Sequence, residues 1–343
     1  MSRLQPEPYL PLRSMALAPA SQKAYSNQLG SLLSHTRFSH TAFFALPAAA
    51  VDRALAVYIQ FCYDARSSFT YASHALSAVV HQRPDLRHQL PVARQCIRGW
   101  EKVRTSTPHA PLTWELTVLM ACTMARSGYH GPAVAMLLAF DCFLRVGELT
   151  RIRRSDVVTP NDSRMGRAHA TMAVVLRVAK TGKMQSVGIA SAEVGELLAQ
   201  WVRLTPLTSN GDADPRIFPF SPDFFRRLME RTASALRLPT HYTPHSLRHG
   251  GTTDDFLRNG SVERIQFRGR WKSLESVRRY VQTARAVLAA QQVPRELNEL
   301  GVTLSEGLVT AMSHLMRTVP AAVPRSYRRR VTFRLPTSSS RVA

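Results

Sequence analysis

Apolar residues recur at helical spacing through most of the chain. The stretches AAAVDRALAVYIQFCYDA (48–65), YASHALSAVVHQR (71–83) and PVARQCIRGWEKVRTS (91–106) show it with little of the alternation that marks strands. They predict a small helical domain over 21–106, of four or so helices, behind a Pro-rich flexible arm at 1–20. TSTPHAPLT (105–113) then carries two prolines among small polar residues and reads as a boundary. Two strongly apolar segments follow, WELTVLMACTMARSG (114–128) and PAVAMLLAFDCFLRVGELT (132–150), both helical in pattern. The pattern changes at ATMAVVLRVA (170–179), KTGK (180–183) and MQSVGIA (184–190), two β-rich runs around a Gly-containing turn, which predict a hairpin. Helical periodicity returns at 192–202, 221–236, 244–258, 261–268 and 273–290. A helical extension is expected over 291–324, from the apolar spacing of LNELGVTLSEGLVTAMSHLM (297–316), and a basic disordered tail over 325–343. The expected fold class is mainly α (α+β): a helical N-terminal domain and a mostly helical second domain, 114–290, with a small antiparallel sheet.

Charge changes the picture most. Lys and Arg number 45 against 23 Asp and Glu, a formal net charge of +22 in 343 residues. The excess is spread along the chain, since 1–110, 111–285 and 286–343 are each net basic. A folded surface that is basic throughout fits a long polyanion, nucleic acid first. An anionic membrane surface is one alternative, and an Arg-rich composition without a binding role is another, because Arg greatly outnumbers Lys. The longest clean apolar run, AVAMLLAF (133–140), is far too short to span a bilayer. Cys62, Cys96, Cys122 and Cys142 are widely separated and form no zinc-type pair. They read as buried free thiols, which fits an intracellular setting, and the N-terminal MSRLQPEPYLPLRS lacks the apolar core of a secretory leader.

Candidate chemistry gathers in four places. FLRVGELTRIRRSDV (143–157) sets Arg145 at a helix end, with Glu148 close enough to hold its orientation. VAKTGK (178–183) puts Lys180 at the hairpin turn, with Lys183 as a rival. TPHSLRHGG (243–251) opens a helix on Thr243 and Pro244 and brings His245, Arg248 and His249 within about one turn, with two glycines beside them. Converging donors beside small residues suit a phosphate, with the glycines permitting close backbone approach. RGRWKSLESVRRYV (268–281) supplies Trp271 and, nine residues on, Tyr280. Singly, each is as well explained by a surface charge, a helix cap or a packed aromatic; jointly they have an order and a spacing that those explanations do not produce.

That ordered set resembles the tyrosine recombinases, or phage integrases: an arginine in an LRxGEL-like box, a hairpin lysine, an HxLRH box, a His or Trp, and a tyrosine nine residues later. The resemblance covers about 114–290. Phe143 stands where many members have Gly, and RGRW replaces the commoner Leu-Gly-His. It implies that Arg145, Lys180, His245, Arg248, Trp271 and the nucleophile Tyr280 are catalytic, supported by Glu148 and His249. It also implies a partner, double-stranded DNA held in a clamp between the helical domain and the catalytic one, and a homo-oligomer, a tetramer on DNA. No cofactor or metal is called for.

The chemistry accounts for the residue types. A phosphodiester attacked by a phenol passes through a highly charged pentacoordinate state, which two arginines can clamp bidentately. His245 suits the phenolic proton, Lys180 the leaving 5′-oxygen, and the Trp271 indole a phosphate oxygen. The implied function is site-specific recombination through a 3′-phosphotyrosyl intermediate, in a mobile-element enzyme that would be nuclear in a eukaryotic host. Two other readings stay open: a type IB topoisomerase, and a DNA-binding protein whose active site has decayed. The segment beyond the nucleophile, 297–316, is expected to dock on a neighbouring subunit or on its own.

Overall fold

The computed structural model describes residues 16–104, 109–160, 162, 172–179, 182–205, 213–239 and 241–322. The chain divides into two compact units, Met1–Thr107 and Pro108–Ala343.

The first unit is helical: α1 (Pro19–Thr36), α2 (His40–Ala45), α3 (Ala48–Asp64), α4 (Phe69–Gln82), a 3-10 turn (Pro84–His88) and α5 (Pro91–Val103). Helix α1 begins on Pro19, inside the stretch expected to be a loose arm, because proline suits the first helical position, where its missing N–H goes unused. Residues 1–15 lie outside those described. Leu32, Phe43, Val51, Leu55, Ile59, Ala75, Val79 and Leu86 form its core. The buried carboxylate of Asp52 accepts the amides of Val92 (3.0 Å) and Ala93 (2.8 Å), which ties the start of α5 to α3.

The second unit is built round two buried helices, α6 (Trp114–Arg126) and α7 (His130–Asp141). Every residue from His130 to Phe140 is buried, so α7 is enclosed on all sides, as its unbroken apolar run requires. After the short α8 (Val146–Leu149) come β1 (Val157–Val158), β2 (Ala173–Ala179) and β3 (Gly182–Gly188), a three-stranded antiparallel sheet in that order. The expected hairpin is present, with Val174 opposite Val187 and Val178 opposite Lys183. Strand β1 was not foreseen, since two residues are too few for a period to show. Helices α9 (Ala192–Leu204), α10 (Pro222–Ala235), α11 (Pro244–Asn259) and α12 (Val262–Gly269) follow.

The single helix expected over 273–290 is two, α13 (Leu274–Arg278) and α14 (Thr283–Gln291), with Tyr280 in the break. Helices α15 (Arg295–Glu306) and α16 (Leu308–Thr318) make up the extension, which packs on its own unit. Gly301 lies so close to α6 that a Cβ there would stand 2.8 Å from Glu115 O, and Leu308 and Met312 enter the main core. Val319 O lies 2.9 Å from His130 Nε2, and the Ala322 amide donates to Gly128 O at 2.8 Å. Among the described residues, no helix is long and apolar enough to cross a membrane. The tail 325–343 lies outside them.

Candidate active site

Arg145 owes its position to how α7 ends. Phe143 adopts left-handed backbone (φ 51°), the Leu144 amide donates to Ala139 O (3.1 Å) and the Phe143 amide to Phe140 O (3.4 Å). This is the reversal that glycine usually makes, and a phenylalanine there is strained. Its packing offsets the strain: the buried ring lies 6.4 Å from Trp271 and under the Arg268 guanidinium, 4.8 Å away. The reversed chain then starts α8 with Arg145 as N-cap. Glu148, 4% exposed, accepts the Arg145 amide on Oε2 (3.0 Å) and its Nη1 on Oε1 (2.8 Å). Burial pushes this carboxyl up, but Arg270 and the two Arg145 donors outweigh that and hold it below the ordinary range.

Arg248 projects from α11 into the same region and is 1% exposed. Its Nη1 donates to Phe143 O and its Nη2 to Gly269 O (2.8 Å), while Nε has no partner. The guanidinium lies 4.2 Å from the Trp271 ring and 5.2 Å from that of Tyr280. Burial, then the charge of Arg145, pulls its pKa down. The two glycines after His249 do a different job from the one expected. A Cβ on Gly250 would stand 1.9 Å from Leu112 O, and one on Gly251 2.0 Å from Phe140 O. They let α11 lie backbone to backbone against the interior; they do not open a face to a ligand.

Trp271 and Tyr280 are seated by a satellite core of Phe143, Ile265, Trp271 and Val277, flanked by Phe256, Val262, Tyr280 and Val281. Gly269 is required there, since its Cβ would fall 1.6 Å from the Trp271 ring. The two aromatic rings meet at 4.8 Å. The break around Tyr280 is held by one buried hydroxyl: Thr253 Oγ1 donates to Tyr280 O (3.2 Å) and accepts the Gln282 amide (3.1 Å).

The histidine against Tyr280 is His249, its ring stacked at 4.6 Å and 24°. Burial pushes it down to about 4, so it is neutral near pH 7. His245 is exposed and lies parallel to His109, with centroids 5.8 Å apart. The structure thus brings together Arg145, Glu148, Arg248, His249, Trp271 and Tyr280, with His245 at the margin. Lys180 lies outside the described residues. Three groups at the site were not singled out in the sequence. Thr253 was hidden among ordinary helical residues, and His109 in a boundary segment. Arg270 passed as one of many arginines, although it stands where the commoner box has glycine.

The model of the phage integrase family matches residues 115–286, half of the chain. The chain belongs to that family. Among its relatives is a tyrosine recombinase XerC of Bradyrhizobium diazoefficiens, 30% identical over 138 residues, covering 39% of this chain and 40% of that protein. A tyrosine recombinase XerC of Methylobacterium nodulans is 29% identical over 174 residues, 48% and 51% respectively. The matches therefore span about half the length of these relatives or less. Among solved structures, a lambda integrase dimer bound to a COC′ core site is similar with a TM-score of 0.55 and 16% identity, covering 80% of this chain and 74% of that one. The Tn1549 transposon integrase in complex with circular intermediate DNA has a TM-score of 0.51 and 14% identity, covering 78% and 98%. At such identities the likeness is one of fold, and it agrees with a mainly helical chain carrying a small antiparallel sheet.

Proposed function

We propose that the chain is a site-specific recombinase that cuts and rejoins double-stranded DNA through a covalent tyrosyl intermediate. The observation that carries this reading is the meeting of Arg145, Arg248, Trp271 and Tyr280 from four separate segments in a chain of this family. The Tyr280 phenolate oxygen attacks phosphorus, and the P–O5′ bond breaks as the 3′-phosphotyrosyl bond forms. Once the Tyr280 ring has left His249, its phenolic proton passes to His245 at the margin of the site, and Lys180 protonates the departing 5′-oxygen. Arg145 and Arg248 stabilise the non-bridging oxygens, where charge accumulates. Trp271 contributes its indole N–H and closes the site. The 5′-hydroxyl of a partner duplex then attacks the phosphotyrosine and releases Tyr280, so the phosphodiester energy is conserved and no ATP is consumed.

The Trp271 and Tyr280 rings lie over the Arg248 guanidinium. The reading therefore requires the Tyr280 ring to leave the Arg248 guanidinium when DNA binds, a movement that frees the nucleophile. The basic helical first unit supplies further contacts to the duplex. Exchange between two duplexes needs four nucleophiles, hence a tetramer. The test uses two labelled duplexes carrying the repeats that flank the chain's source locus, with a supercoiled plasmid beside them. Exchange products are expected. Relaxation without exchange would assign the chemistry to a type IB topoisomerase, and neither product would overturn the proposal.

A further inference from the structure

Arg270 is a guanidinium that the mechanism above does not use. It sits at the end of α12, directly before Trp271, in left-handed backbone (φ 57°). Its side chain is 7% exposed. Nη2 donates to Glu148 Oε2 at 2.9 Å, whereas Nε and Nη1 are buried with no partner. A bulky residue in glycine's conformation with two unpaired buried donors is costly to the fold, so packing alone does not account for it.

The geometry around Glu148 suggests what it does. Oε1 takes Arg145 Nη1, and Oε2 takes both the Arg145 amide and Arg270 Nη2. The carboxylate is thus divided between two arginines. A lone carboxylate beside a lone arginine tends to close into a fork of two parallel bonds, which uses two of the five guanidinium N–H groups and offsets its charge. With Oε2 shared between the Arg145 amide and Arg270 Nη2, Glu148 meets the Arg145 guanidinium through Oε1 alone and leaves its other N–H groups for an anion. The cluster of Arg145, Arg248 and Arg270 then holds three positive charges against the one of Glu148, an imbalance that a bound phosphate relieves.

We propose that Arg270 is a positioning residue for strand cleavage. It holds Glu148 Oε2, and so keeps Arg145 from being consumed by its own carboxylate partner. This rests on the strand-cleavage reading above. The test measures the single-turnover rate of covalent adduct formation at saturating DNA, together with DNA affinity, for wild type, Arg270→Met, Arg270→Lys and Arg270→Met/Glu148→Gln. Arg270→Met is expected to slow adduct formation by about 10–100-fold, the scale of a misplaced reacting group, with DNA affinity changed by less than about threefold. The lysine variant recovers part of the rate, because it keeps a charge on Oε2. The double variant is faster than Arg270→Met, because the amide can no longer close on Arg145 as a charged fork. A merely structural role would not give that second-site relief. Wild-type rates in Arg270→Met, equal losses of rate and affinity, or no relief from Glu148→Gln would each overturn the proposal. If Arg270→Met does not fold, the lysine variant decides: it should be slower than wild type, and a wild-type rate contradicts the inference. If wild type itself forms no adduct, the cleavage reading fails and this inference falls with it.

Discussion

Arg145 and Arg248 carry the same charge in different surroundings. The Arg145 side chain is 21% exposed and anchored at one end to Glu148, whereas Arg248 is enclosed by two carbonyls and two aromatic rings. If both act on charge that develops during cleavage, their loss is felt in the transition state more than in binding. Arg145→Ala should slow adduct formation by roughly 10²–10³ with a much smaller change in DNA affinity. Equal losses in both would make it an ordinary phosphate anchor. His249 allows a test on the protein alone. Its folded pKa of about 4 lies below the ordinary 6.5, so as pH falls the unfolded chain takes up this proton first. Its contribution to stability is whole above pH 6.5 and is lost as pH drops towards 4. His109 and His130 are shifted in the same direction, so the comparison is with His249→Gln. The gap in melting temperature between wild type and variant should change steadily across that window, with wild type losing more; a constant gap contradicts it. The pairing of Arg145 with Glu148 was legible because they lie three residues apart, at the cap and in the first turn of one short helix. The contact of His249 with Tyr280 was not, because 31 residues separate them and only the fold closes that distance.

At the scale of elements, the break between α13 and α14 matters most, because it carries Tyr280. No glycine or proline occurs between 273 and 290, so the periodicity ran on as one helix. What ends α13 is a partner from elsewhere: the Thr253 hydroxyl satisfies both the Tyr280 carbonyl and the Gln282 amide. Thr253→Val keeps the shape and removes both bonds. It should cost about 1–3 kcal/mol, the usual penalty for buried groups left unsatisfied, and should slow adduct formation by loosening Tyr280. Urea denaturation checks the first part, and unchanged stability would show that the hydroxyl does not hold the break. The glycine pair of α11 taught a similar lesson. Its sequence suggested close backbone approach to a phosphate, while its neighbours, Leu112 O and Phe140 O, are interior backbone that no local pattern announces. The hairpin, by contrast, was readable because its strands are adjacent in sequence and its turn chemistry is local.

For the whole molecule, charge and family set the expectations. On the proposed function, the net charge of +22 spread over the chain serves many phosphate contacts. If about 6–10 phosphates are neutralised, DNA affinity should fall by about 10³–10⁵ between 50 and 200 mM salt. Fluorescence anisotropy with a labelled duplex measures this, and a nearly flat dependence would point to a different partner. The C-terminal extension shows where sequence stops informing. Its apolar face announced a helix with a docking partner, and the structure seats α15 and α16 on α6 and the main core of the same unit.

The central claim is that Tyr280 becomes covalently joined to DNA, and the most direct measurement is to find that bond. The chain is incubated with a duplex carrying its own recombination site and a nick beside the cleavage position, so that the cut fragment diffuses away and the intermediate accumulates. The adduct is then digested with protease and nuclease, and the nucleotide-bearing peptide is sequenced by mass spectrometry. The predicted result is a 3′-phosphonucleotide on Tyr280 and no adduct from Tyr280→Phe, which still binds DNA. An adduct on any other residue, or one that persists in Tyr280→Phe, contradicts the account.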